Sequence, residues 1–176
     1  SKDRNSISMG VTNDPAEYVT SEDYGILAFV RLGQLWMYKY NDSSLTNIFS
    51  YPQDSFSDAR TLNTNLDINI ADMDADGNIY FVVYGYMNRG EHEGKNGMSL
   101  YYYSAENMTT QELFFVECDE SYDIMKKETG RFTYYNAQTN KFYYLLDETL
   151  YEVSLADMTQ TALVEGIPSA KYFVTN

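Results

Sequence analysis

Apolar and aromatic residues fall in short runs along the chain, each closed by a polar turn, and the runs do not keep a helical period. Three stretches share one plan: LWMYKYNDSSLTNIF from Leu35, LYYYSAENMTTQELFF from Leu100 and LYEVSLADMTQTALV from Leu150. Each reads as an aromatic-rich strand, a polar turn and a second strand, so a hairpin recurs three times. Ahead of each hairpin lies another apolar stretch: ILAFVRL from Ile26, IYFVVY from Ile79 and FYYLL from Phe142. Ahead of those lies a fourth: Glu17 to Thr20, Ile68 to Met73, and Arg131 to Tyr135. Each unit is therefore predicted as a four-stranded antiparallel meander, with strands a to d. AKYFVTN at 170–176 echoes AEYVTS from Ala16 and reads as strand a of a further unit.

Several strands, such as those from Leu35 and Leu100, are apolar or aromatic on both faces, as expected of a sheet covered on both sides by its neighbours. Radial stacking of such sheets is a β-propeller. The predicted fold is all-β: a partial β-propeller-like array of four-stranded antiparallel blades, three blades plus one strand of a fourth. The segments are an N-terminal extension 1–15, blade 1 at 16–50, blade 2 at 66–118, blade 3 at 130–167 and the extra strand at 170–176, all within a single domain or fragment, 1–176. Three blades and a strand do not readily close a ring, so an open fragment is expected, with its missing blades elsewhere in a parent chain or in a partner chain and an exposed blade face prone to self-association. A curled β-sandwich is the alternative. Helix is expected only near 121–128.

Composition supports strands: of 176 residues, 18 are Tyr and 9 are Phe, and flat amphipathic rings suit half-buried sheets. The 26 acidic against 12 basic residues give a net charge of −14, a field that repels nucleic acid and anionic membrane surfaces. Cys118 is alone, so no intrachain disulfide forms, and between Glu117 and Asp119 it lacks the positive surroundings of a reactive thiolate; it reads as a strand residue. No apolar run is long enough to span a bilayer as a helix. The start at Ser1 without Met reads as excision from something longer.

VVYGYMNRGEHEGKNGMSLYYY, at 82–103, together with the strand-turn-LYxx repeats, resembles blades of bacterial extracytoplasmic β-propellers, uncharacterised surface proteins and lipoproteins of Gram-positive anaerobes. The resemblance implies a fold and an extracytoplasmic, secreted or cell-surface location, and supplies no activity.

ADMDADGNIY, from Ala71, has two readings. Asp72, Asp74 and Asp76 before Gly77 match the start of a calcium loop, whose oxygens at positions one, three and five converge while glycine permits the bend. The closing ligands are missing, because position nine is Tyr80 and position twelve is Val83. The other reading is a turn between strands a and b, which needs Asp-Gly but not Asp72. Calcium is thus the one cofactor the sequence suggests.

In a blade meander the a–b and c–d turns share one rim and the b–c and d–a connections share the other. The long b–c stretch GYMNRGEHEGKNGM at 85–98 is therefore expected to join the connections 51–65 and 119–129 on the rim opposite the aspartates. Long loops on a rigid scaffold make binding surfaces, and Arg60, Tyr86, Arg89, Glu91, His92, Glu93 and Tyr122 are the candidate ligand-binding residues, with Tyr51 and Phe56 as further aromatics. His92 between two glutamates could supply a metal ligand or a proton; a lone histidine in a charged loop is more often simply solvated. There is one His, one Cys, no Gly-x-Ser-x-Gly elbow and no phosphate-binding glycine loop, so no catalytic residue is assigned. The expectation is a non-catalytic binding or scaffolding module whose partner is a protein or a glycan. The alternative is a glycoside-acting propeller enzyme with part of its site outside this chain.

Overall fold

Within the described residues the predicted runs form strands, because the polar turns between them close antiparallel pairs. The computed structural model describes residues 18–21, 25–31, 33–50, 66–74, 76–87, 90–118, 133–146 and 148–167. Among them are three four-stranded sheets whose strand order follows the chain. Blade 1 is β1 (Tyr18–Ser21), β2 (Ile26–Arg31), β3 (Gln34–Lys39) and β4 (Ser44–Ser50). Blade 2 is β5 (Leu66–Met73), β6 (Ile79–Met87), β7 (Lys95–Ser104) and β8 (Thr109–Glu117), and blade 3 is β9 (Thr133–Asn136), β10 (Lys141–Leu146), β11 (Thr149–Ser154) and β12 (Thr159–Val164). No helix occurs among the described residues. The expected extension 1–15, the strand at 170–176 and the helix near 121–128 lie outside them.

The largest departure from expectation is at 85–98. β6 continues to Met87 and β7 begins at Lys95, with Gly85 opposite Gly97, Tyr86 opposite Asn96 and Met87 opposite Lys95. The stretch expected as a loop is mostly a long hairpin, and the described residues 90–94 form the turn that leads into β7. Met87 is buried and Tyr86 exposed, so the two-residue period of a strand persists through a segment whose glycines read as loop. Cys118 is buried one residue past β8, where its amide donates to the Asn96 carbonyl at 3.0 Å.

The repeat extends to its irregularities. In every blade the pairing of strands c and d slips by one residue at the same place: Leu35/Trp36, Leu100/Tyr101 and Leu150/Tyr151. The skipped residue on strand d is Ile48, Leu113 or Leu163, a bulge that bends the outer strand and turns an extra side chain toward the next sheet. The c–d turns match as well, with Ser43, Met108 and Met158 each in the left-handed region at φ 55°, 51° and 59°. The side chains of Asp42 and Asp157 cap the first and third of these turns by accepting from the amides of Ser44 and Thr159.

Two apolar cores lie between the three sheets. Between blades 1 and 2, Leu35, Met37, Ile48 and Phe49 meet Phe81, Val83 and Tyr101. Between blades 2 and 3, Val82, Met98 and Leu100 meet Phe142, Tyr144 and Val153. The same strand-d aromatic makes both junctions: Phe49 lies 5.1 Å from Phe81 and 4.7 Å from Tyr101, and Phe114 lies 6.1 Å from Tyr144. Blade 2 is thus apolar on both faces because both are covered. The first strands stand side by side, and Asn69 Nδ2 donates to Thr133 Oγ1 across the second junction.

Candidate functional site

The aspartate turn is closed by its own residues. Asp74 Oδ1 accepts from the amides of Asp76 at 3.0 Å and Asn78 at 2.9 Å, and Oδ2 accepts from Asn78 Nδ2 at 2.9 Å. Gly77 takes φ 83°, and a Cβ there would lie 3.0 Å from Ile26 Cδ1 of blade 1, so glycine serves both the turn and the packing beneath it. Asp72 stands apart, half-buried in β5 opposite Tyr80. Burial pushes its carboxyl above the ordinary range, opposed by the Met73 amide and reinforced by the Asp74 charge. Among the described residues no three acidic, His or Cys side chains converge as metal ligands. The sequence places the three aspartates at calcium-loop spacing; in the fold Asp74 caps the turn and Asp72 is half-buried in β5.

Asn78 ties this turn to its neighbour, accepting from the Ala105 amide at 2.9 Å. The a–b and c–d turns of blade 2 therefore share a rim, as the meander predicts. Beside them lies a cleft of about 380 Å³ lined by Lys39, Asp76, Asn78, Tyr102, Ser104 and Glu106. Sequence reading missed it, because it forms only where the end of β3 in blade 1 meets two turns of blade 2. Tyr102 also belongs to an aromatic row, with Tyr80 at 4.9 Å and Tyr135 stacked on Tyr80 at 4.0 Å.

On the opposite rim, the β6–β7 hairpin carries Tyr86, Glu91, His92 and Glu93. His92 is not left in solvent: its ring stacks on Phe115 of β8 at 3.8 Å with an interplanar angle of 6°, and Nε2 contacts Glu112 Oε1 at 2.8 Å. Glu112 Oε2 accepts from the Tyr101 hydroxyl at 2.7 Å, so the imidazole ends a chain of contacts rooted in the core between blades 1 and 2. Lys95 completes the clamp, bonding Glu117 Oε2 at 2.7 Å with Nζ 5.9 Å from the centre of the Phe115 ring. Phe115 pairs with Ser99 and can lie flat here because Gly97, its diagonal neighbour on β7, has no side chain; a Cβ at Gly97 would come within 2.3 Å of Phe115 Cζ. Glu91 and Glu93 are exposed beside the docked histidine, and Tyr86 is 40% exposed. The structure thus brings Tyr86, Glu91, His92 and Glu93 together on one hairpin. Arg60, Arg89 and Tyr122, with the connections 51–65 and 119–129, lie outside the described residues.

Three meander sheets stacked face to face, each seated on the next through strand d, define an all-β array of the β-propeller kind. The chain is similar in fold to an oligogalacturonate lyase in complex with manganese, at 12% identity and a TM-score of 0.54, over 86% of this chain and 36% of that one. It is also similar to Porphyromonas gingivalis dipeptidyl peptidase 4, at 14% identity and a TM-score of 0.50, over 83% of this chain and 25% of that one. These likenesses are of fold, and the chain spans about a third or less of each structure's length. No protein-family model and no curated protein matches the sequence.

Proposed function

We propose that this chain is a binding or scaffolding module, displaying the β6–β7 hairpin rim to a protein or a glycan from an extracytoplasmic setting. The observation that carries the reading is the clamp of His92, Lys95, Phe115 and Glu112, which holds the hairpin against β8 and leaves Tyr86, Glu91 and Glu93 facing outward. A pre-held hairpin loses little conformational freedom when it binds. An exposed tyrosine supplies rigid, amphipathic contact area. The carboxylates at the tip and the net charge of −14 favour a basic protein surface over an anionic polysaccharide.

The test is amide chemical-shift mapping with two probes, an Arg/Lys-rich peptide and neutral oligosaccharides of the cello and chito series. The reading predicts saturable shifts clustered at 86–95 and a roughly tenfold loss of affinity in Tyr86→Ala. Shifts confined to the rim of Lys39 and Glu106 would overturn it.

One observation favours a second reading, a glycoside-acting enzyme: Asp76 and Glu106 line a single cleft beside Tyr102, and glycoside hydrolysis needs a carboxylate pair. Release of nitrophenol from a panel of aryl glycosides, abolished in Asp76→Asn and Glu106→Gln, would establish that reading in place of the first.

A further inference from the structure

The two junctions inside the chain obey one rule, and its two outer faces carry the halves of a third. Inside, the bulged residue and the residue after it on strand d pack onto the next blade: Ile48 and Phe49 of blade 1 onto blade 2, and Leu113 and Phe114 of blade 2 onto blade 3. In blade 3 the same positions are Leu163 and Val164, by the shared slip in register. They are 45% and 50% exposed.

The receiving half of the rule is equally specific. Phe49 lands on Tyr101, and Thr110 Oγ1 of blade 2 donates to the carbonyl of the bulged Ile48. Register places Trp36 and Leu45 of blade 1 where Tyr101 and Thr110 stand in blade 2. Leu45 is 50% exposed, an unusual place for a leucine where the covered equivalent is a threonine. A face with two apolar side chains at the delivering positions and a face with two at the receiving positions are complementary, and every copy of the chain carries both.

We propose that a second copy of this chain occupies these faces, head to tail, with Leu163 and Val164 of one copy on Leu45 and Trp36 of the other. This goes beyond the binding role of the hairpin, which lies on a rim and not on a blade face. The contact is heterologous, so it either closes a ring or propagates. The three described blades of each of two copies add to six, within the roughly four to eight blades of closed propellers. With a net charge of −14 on each copy, association strengthens as salt screens their repulsion.

Sedimentation velocity of the wild-type chain over about a hundredfold range of concentration, at low and moderate salt, tests the idea. The expected result is a shift from monomer to twice the monomer mass, favoured by salt. Val164→Asp or Leu45→Asp alone should weaken association at least about tenfold, with far-ultraviolet dichroism and melting showing that each variant folds. The decisive arm mixes the two variants. In a head-to-tail pair, one junction then joins an intact Val164 to an intact Leu45, so association returns in the mixture and in neither variant alone. A monomer at every concentration, or an aspartate variant that dimerises undiminished, would overturn the proposal. So would a mixture no better than its components, which would mark a self-complementary contact.

Discussion

At the scale of single residues, several side chains are explained by one neighbour. Gly97 exists so that Phe115 can lie across β7, and Phe115 in turn is the floor for His92 and Lys95. Gly97→Ala forces the ring or the Val116 carbonyl, 2.7 Å from the added carbon, to move, and should cost about 1–3 kcal/mol by urea denaturation; an unchanged midpoint would contradict the packing described. Asp74 accounts for the aspartate turn by capping it. Asp74→Ala should cost about 1–2 kcal/mol, by the same amount in EDTA and in calcium, and a loss seen only with calcium would make the site a metal loop after all. The sequence displayed both glycine and aspartate at these places. It could not display their reasons, since the partner of Gly97 is on β8, and the carboxylate spacing of a capped turn and of a calcium loop is the same for the first five residues.

At the scale of elements, the blades were legible and the hairpin was not. Repeated Leu-aromatic pairs at 35, 100 and 150 mark strand c in each blade, and the polar stretches after them became the same left-handed turn three times. Local pattern sufficed because these contacts are local. The dock of His92 depends on the β7–β8 pairing, which brings Glu112 across from Tyr101 only after the slip at Leu100/Tyr101. A loop composition of glycine and charge concealed strands whose alternate residues, Met87 and Met98, are fully buried. If the clamp holds the hairpin, Phe115→Ala should raise amide hydrogen exchange across 88–96 while exchange in β10 and β11 stays as in the wild type. Equal protection of the hairpin in both proteins would show that the tip is held by something else.

At the scale of the whole molecule, the tyrosine-rich cores make stability sensitive to alkali. Burial pushes the phenols of Tyr80 and Tyr144 well above their ordinary range, with hydrogen bonding to Tyr135 adding to the first and the charge of Tyr151 to the second. A group whose pKa is raised by folding contributes stability that is intact below its unfolded value, about 10 for tyrosine, and is lost as pH rises through the folded value. Unfolding free energy should therefore be flat through neutral pH and fall above about pH 10, less steeply in Tyr144→Phe. The hydroxyl of Tyr144 is buried beside the Gln160 side chain, which makes no well-formed hydrogen bond to it, so that variant should lose no more than about 1 kcal/mol at pH 7. A wild-type profile flat to pH 11.5 would contradict the burial of these rings.

Both the proposed role and the docking of a second copy require the repeats to be blades, each seating its strand-d aromatic on the next. A double-mutant cycle on Phe49→Leu and Phe81→Leu, read by urea denaturation, tests that contact across the first junction. Rings 5.1 Å apart at an angle of 64° should be coupled by about 0.5–1.5 kcal/mol beyond the sum of the single effects. Additivity within about 0.3 kcal/mol would mean that blade 1 does not rest on blade 2 through these residues, and the stacked array would fall with it.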